Sequence, residues 1–413
     1  MTKIIERDRC CMKINVIGFM KSHLDPIDIG VCNENMPQVL ENLKRFAGAE
    51  GGICYMSKPY FDSYVTDPVK ALNRFTTVAA TGHHSIAGHS QVALLFEGVP
   101  KIIAMFLNNL NDYETSEKSG RYTVMTGNTD VEMEVYTKWC EKLQTVIKDT
   151  YGDKIDDRTV DKLAKENARY FLSIFTPTTM GYTASIRQLN YIIDWAERYA
   201  VMETPNNYFF IMLKKHFADL AVQLKEIVYV DELRDFKNRQ GLDMIDFEHT
   251  EGVGEQFGKF YTIEYMGTFA ELAQAQRHRT LFYTTYFDGV AKDFYVPPII
   301  RGTDLETEWC EDMKKVAEYV PTGTMVHIEE SGKLDYFYLK SMERNCGRAQ
   351  LEIMQQNIAT GEYFYENIDK FPVRCQEMIK KNTINGCPKM KGQTLKCKEP
   401  CVWGCGTAKD RLI

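Results

Sequence analysis

Residues 117–122 read Glu117-Lys118-Ser119-Gly120-Arg121-Tyr122, and residues 274–279 read Gln274-Ala275-Gln276-Arg277-His278-Arg279. In the first run, a serine hydroxyl, the N–H groups exposed at a glycine and an arginine fork make a compact anion cradle. The same residues also suit a plain turn with a solvated arginine. The second run closes a helical stretch, 268–276, with Thr268 as N-cap and Glu271 three residues later, a capping box. Cations suit a helix C-terminus, where the macrodipole is negative. Two guanidinium forks and an imidazole equally suit a diphosphate or an electron-rich ring.

Working outward, residues 12–19 and 91–96 alternate apolar and polar and read as strands. Helical spacing marks 37–47, 69–80, 102–109, 131–149, 160–175, 190–202 and 208–228. From about residue 230 the pattern restarts, with a strand over 257–265 and helices over 268–276, 304–319 and 334–357. Glu166 and Arg169 share a helical face, and Arg348 and Glu352 have i, i+4 spacing; read alone, both pairs are surface ion pairs of small value. The glycines of 252–258 precede a strand instead of opening a helix, so they are no dinucleotide fingerprint. The expected class is α+β, with antiparallel or mixed sheets.

The chain has 413 residues, enough for two or three domains, and a net charge of −7 that argues against a general nucleic-acid binder. It holds no apolar run of membrane-spanning length and no signal-peptide order at residues 1–19, so a cytoplasmic location is expected. His83, His84 and His89 have weak metal spacing, with no carboxylate or cysteine close in sequence to complete a site.

The combination of motifs is more specific than any one of them. The chain resembles the flavin-dependent thymidylate synthases, twice. In the first half, GGICY (51–55), TGHHSIAGH (81–89), EKSGRYT (117–123) and Glu166-Asn167-Ala168-Arg169 resemble successive family motifs. Gly88 stands where the family has glutamate, and Asn109-Leu110-Asn111 stands where it has Arg-His-Arg. In the second half, TIEYMGTFAELAQAQRHR (262–279), KDFYVP (292–297) and Arg344 followed by AQLEI (349–353) resemble the complementary motifs, while the Ser, Glu and Arg that should follow Arg-His-Arg are lost.

The resemblance implies two tandem thymidylate synthase-like domains, residues 1–229 and 230–371, each an antiparallel or mixed sheet with packed helices, followed by a Cys-rich tail over 372–413. It implies FAD-dependent C5 methylation of a deoxypyrimidine monophosphate, dUMP to dTMP, with methylenetetrahydrofolate and NADPH as co-substrates. The nucleotide is expected at Glu117, Ser119, Gly120, Arg121, Tyr122, Glu166, Arg169, Gln274, Arg277 and Arg344, with Arg344, Gln274 and Arg121 closest to the chemistry. The flavin is expected at His83, Ser85, His89, Arg277, His278 and Arg279. Family sites form at subunit interfaces of a homotetramer, so a homodimer of this chain would imitate four domains and place the site between the halves. Two alternatives stay open: a C5-hydroxymethyl product or dCMP substrate, and a non-catalytic nucleotide-binding homologue.

Twelve cysteines are present. Seven are scattered and expected as free thiols. Four of the last five, Cys387, Cys397, Cys401 and Cys405, offer a thiolate set for zinc or an iron–sulfur cluster, with disulfides or free thiols as the alternatives.

Overall fold

The computed structural model describes all residues except 1–11, 23–24, 26–28, 54–55, 61–66, 82, 111, 121–122, 124–125, 235–243, 247–259, 277–280, 383–401 and 404–407. Among the described residues, no helix is long and apolar enough to cross a membrane. Two compact units form. One comprises Met1–Lys118, Pro177–Asn206 and Phe210–Leu242; the other Ser119–Thr176, Asn207–Phe209 and Asp243–Ile413. This division departs from the expected boundary at 229/230, because residues 119–176 group with the second half.

The first unit is built on β1 (Lys13–Phe19), α1 (Met36–Glu50), α2 (Pro68–Ala80), β2 (Gln91–Pro100), α3 (Lys101–Asn108) and β3 (Tyr113–Glu117). The second unit then receives α4 (Asp130–Tyr151) and α5 (Asp157–Ala168), and the chain returns with β4 (Pro177–Ser185), α6 (Ile186–Val201) and α7 (Tyr208–Val228). The sheet order is β1-β2-β4-β3, antiparallel throughout. Val92, Leu94 and Phe96 alternate inward on β2 as their period-2 pattern requires. Phe106, Trp195, Tyr199 and Phe217 form an aromatic cluster under the sheet, ring centroids 4.9 to 6.2 Å apart. Gly48 lets α1 meet α2: a Cβ there would lie 1.9 Å from the carbonyl oxygen of Ala71.

The second unit continues with β5 (Ile245–Asp246), β6 (Phe260–Thr268), α8 (Phe269–Ala275), β7 (Phe282–Tyr286), α9 (Asp304–Val316), β8 (Met325–Lys333), α10 (Leu334–Arg344), α11 (Leu351–Glu366) and α12 (Val373–Asn382). Its sheet order is β5-β7-β8-β6, with β5 parallel to β7 and the other pairs antiparallel. A full capping box of Thr129 and Glu132 starts α4. Trp139, Phe171 and Trp309 pack α4 against α9, and the Trp139 Nε1–H donates to Asp312 at 2.9 Å.

The core of each sheet has one topology. Strand, helix, strand, helical insertion, strand, helix recurs as β2-α3-β3…β4-α6 and β6-α8-β7…β8-α10. β2 and β6 start at 91 and 260, and β3 and β7 at 113 and 282, the same separation of 169 residues. β4 and β8 span 177–185 and 325–333, a separation of 148. Register agrees too: Gln91 opposes Ser185, and Phe260 opposes Lys333.

Several expectations are corrected. The helix expected over 160–175 ends at Ala168, and one 3-10 turn follows to Phe171. Beyond it the backbone pairs with 320–323: Thr322 N–H donates to Leu172, Gly323 N–H to Tyr170, and Ile174 N–H to Val320. The helix expected over 334–357 is two helices, broken at 345–350. Strands β3, β4, β5, β7 and β8 carried no expectation. The expected tail is partly structured: α12 forms, Arg411 and Ile413 are buried, and Trp403 packs edge-on against Tyr151 with centroids 5.3 Å apart.

Candidate active site

The second unit gathers three of the expected nucleotide residues from separate segments. Arg169 Nη2 and Gln274 Nε2 both donate to Oε1 of Gln350. Arg344 Nη2 donates to the carbonyl of Gln274 at 3.0 Å. Gln350 Nε2 donates to the hydroxyl of Tyr170, which donates to Glu352 Oε2 at 2.5 Å. Thr268 completes the chain, its N–H and Oγ1 donating to Glu352 at 3.0 and 2.9 Å. Gln274 Oε1 is buried and has no partner among the described residues.

Local structure explains the convergence. Arg169 sits where α5 ends, held by Thr322 Oγ1, which donates to its carbonyl at 2.9 Å. Gln274 lies in the last turn of α8. Arg344 ends α10, and Gln350 precedes α11. Helix termini put long polar side chains beside backbone groups that lack helical partners.

Glu271 lies on α8 one turn before Gln274. It is 1% exposed, and neither carboxylate oxygen has a partner among the described residues. Burial, then the Glu352 carboxylate, raises its acid well above the usual range. The capping box at Thr268 is therefore half made. Thr268 Oγ1 accepts from Glu271 N at 3.0 Å, but Glu352 takes the reciprocal place on the Thr268 N–H. Burial also lifts Glu352 to about 7, against the opposing bonds from Tyr170 and Thr268. Lys340 forms a buried ion pair with Glu330, and Tyr261 donates to Glu330 at 2.6 Å.

Other expected residues stand as follows. Glu166 is 2% exposed, so the reading of Glu166 and Arg169 as a surface pair fails. Arg348 lies in the turn before α11, and Glu352 is committed to Tyr170 and Thr268, so that helical pair fails too. Ser119 and Gly120 form a half-buried turn in which Thr123 Oγ1 donates to the Ser119 carbonyl at 2.8 Å. Glu117, in the first unit, forms an ion pair with Lys101 at 2.6 Å. His83, Ser85 and His89 are exposed on or beside the 3-10 turn 84–89 of the first unit. His84 is the buried anchor of that turn: Nε2 bonds the Ala79 carbonyl at 3.0 Å, and burial lowers its basicity. A Cβ at Gly88 would meet nothing within 4 Å.

Arg121, Tyr122, Arg277, His278, Arg279, Cys387, Cys397, Cys401 and Cys405 lie outside the described residues. Cys32, Cys140, Cys310, Cys346 and Cys375 are free thiols. Among the described residues no group of three or more His, Cys, Asp or Glu is arranged for a metal ion. Gln350, Tyr170 and Glu352 were not anticipated as a hub. Gln350 and Glu352 stand inside the quoted AQLEI run, but no spacing rule singles out a glutamine.

Residues 42–201 match the family model described as Thymidylate synthase complementing protein, and over that region the chain is similar to the family. This is the family of enzymes its motifs resemble, the flavin-dependent thymidylate synthases. The match stops short of β6–β8, which carry part of the polar network.

Among solved structures, a UMP/dUMP methylase PolB from Streptomyces cacaoi, bound with 5-Br dUMP, is 12% identical, over 52% of this chain and 88% of that one, with a TM-score of 0.30. Thymidylate Synthase X from Helicobacter pylori, with FAD and dUMP, is 14% identical, over 54% of this chain and 99% of that one, with a TM-score of 0.28. No curated protein matches the chain.

Proposed function

We propose that the protein catalyses FAD-dependent C5 methylation of a deoxypyrimidine monophosphate, dUMP to dTMP, with methylenetetrahydrofolate and NADPH as co-substrates. The observation that carries this reading is the convergence of Arg169 and Gln274 on Gln350, with Arg344 on the Gln274 carbonyl. Four chain segments meet there, and two of them supply guanidinium groups suited to an anionic nucleotide.

The two guanidinium groups would orient the phosphate and stabilise negative charge developing on the ring. A uracil edge presents an N–H between two carbonyls, and the unpartnered Oε1 of Gln274 is an acceptor for that N–H. Ser119, Gly120, Arg121 and Tyr122 would complete the phosphate cradle, with Glu166 and Arg277 beside it.

Bound FAD would supply the hydride and relay the one-carbon unit. His83, Ser85 and His89 offer exposed donors of the type a diphosphate takes, and Arg277, His278 and Arg279 would add to them. The protein's part is to bind, orient and exclude water.

The reading includes three finer proposals. The chain arose by tandem duplication, supported by the recurrent topology and the shared 169-residue separation of β2 from β6 and of β3 from β7. It acts as a homodimer. Zinc or an iron–sulfur cluster at Cys387, Cys397, Cys401 and Cys405 remains a proposal that metal analysis of the purified protein tests.

The deciding experiment supplies FAD, NADPH and methylenetetrahydrofolate with dUMP or dCMP and measures product mass. A gain of one methyl on dUMP supports the proposal. A hydroxymethyl product, or turnover of dCMP alone, replaces it with the corresponding variant reaction. A colourless protein with no nucleotide affinity would overturn it. Arg121→Ala and Arg344→Ala, measured separately for nucleotide binding, test those two assignments.

A further inference from the structure

Residues 402–413 lie beyond the stretch that resembles the family, yet their described part is docked inside the second unit. Arg411 is 5% exposed and donates through Nη1 to the Gly347 carbonyl and through Nη2 to that of Ala349. The Trp403 ring lies 5.4 Å from the guanidinium, and Tyr151 Oη accepts from Leu412 N at 2.9 Å. Contact with the 345–350 turn is tight. A Cβ at Gly347 would sit 3.1 Å from both Ala408 Cβ and Trp403 Cδ1.

The residue that follows this turn is Gln350. Its amide receives Arg169 and Gln274, so its backbone position sets where both point. A planar guanidinium that spans two carbonyls two residues apart fixes the turn in a way that no single-point donor reproduces. We propose that Arg411 is a positioning residue for the nucleotide site, clamping the 347–349 turn so that Gln350 holds Arg169 and Gln274 in binding geometry. This rests on the reading that those side chains bind the nucleotide. Arg411 itself touches the turn and Trp403, and it acts on the site through Gln350.

The test uses the full chain with Arg411→Ala and Arg411→Lys, and Leu412→Ala as an exposed control. Hydrogen exchange across 345–354 reads the clamp, and calorimetric titration with dUMP reads its consequence. The expected result is faster exchange in that segment for Arg411→Ala, with dUMP affinity weakened about tenfold or more and flavin content unchanged. Arg411→Lys should fall between Arg411→Ala and the parent, and Leu412→Ala should match the parent. If Arg411→Ala does not fold, Arg411→Lys carries the same comparison. Unchanged exchange at 345–354 would overturn the clamp. Faster exchange with unchanged dUMP affinity would overturn the positioning role. A parent protein that binds no dUMP would instead defeat the functional reading, while the exchange arm would still decide the clamp.

Discussion

The two sheets share a scaffold and differ in what lies beneath it. In the first unit, Ile102, Met105, Tyr182, Ile192 and Ala196 are buried between sheet and helices. The topologically equivalent positions in the second unit hold Glu271, Gln274, Glu330, Lys340 and Arg344. An apolar interface stabilises a fold with no desolvation cost. Buried ionisable groups carry that cost, and apolar replacements are often as stable or more so. The second unit keeps polar groups where its counterpart shows that hydrocarbon suffices. Such a concentration of buried acids and forks supports the proposal that the nucleotide site lies here. The first sheet thus serves as the scaffold control for the second.

The largest expected effect comes from breaking the buried ion pair. Lys340→Met leaves Glu330 buried with its charge unmatched and should destabilise the second unit by about 3–5 kcal/mol in urea unfolding. Adding Glu330→Leu imitates the first unit's apolar interface and should recover most or all of that loss. Failure of the double variant to recover would break the comparison.

The next effect is set by pH. Burial raises Glu352 to about 7 in the folded protein, above its unfolded value. The folded state therefore binds the proton more tightly. The stabilisation from protonating Glu352 is fully present below the unfolded pKa and is lost as pH rises through about 7. Between pH 8 and pH 5 the second unit should gain up to about 3 kcal/mol, in the direction opposite to ordinary acid denaturation. Glu352→Gln should flatten that profile. Glu271, also raised, adds in the same direction.

Smaller effects sharpen the contrast. A Cβ at Gly267 would lie 2.9 Å from both Glu271 Oε2 and Ile328 Cδ1. Gly267→Ala should cost about 1–3 kcal/mol by thermal or urea unfolding, because the buried carboxylate has nowhere to retreat. In the apolar counterpart, Ile192→Val should cost only about 0.5–1.5 kcal/mol and show no pH dependence.

Most helices were legible because their apolar faces keep the 3.6-residue period. Tyr208–Val228 matches its expected range, and α4 begins with a clear capping box. The missed strands share a physical cause. β4 begins at Pro177 and contains Gly181, and β8 reads Met-Val-His-Ile-Glu-Glu-Ser-Gly-Lys. On β8, Glu330 occupies a buried position that local pattern reading assigns to a hydrophobe, because its partners Lys340 and Tyr261 come from elsewhere in the chain. α5 stops early for a similar reason, since its next residues pair with 320–323. At the site, Arg169, Gln274 and Arg344 were legible as motif residues. The meeting of Arg169 and Gln274 at Gln350 was not, because a neutral amide hub has no signature in composition or spacing.

Titration of the purified, flavin-loaded protein with dUMP, alongside Arg169→Ala and Gln274→Ala, tests most directly whether the second unit's polar network is the nucleotide site. The expected result is a dUMP-dependent change in flavin absorbance, with its midpoint shifted about tenfold or more in each variant. A change that persists at the parent midpoint in both variants, or no change with the parent protein, would contradict it.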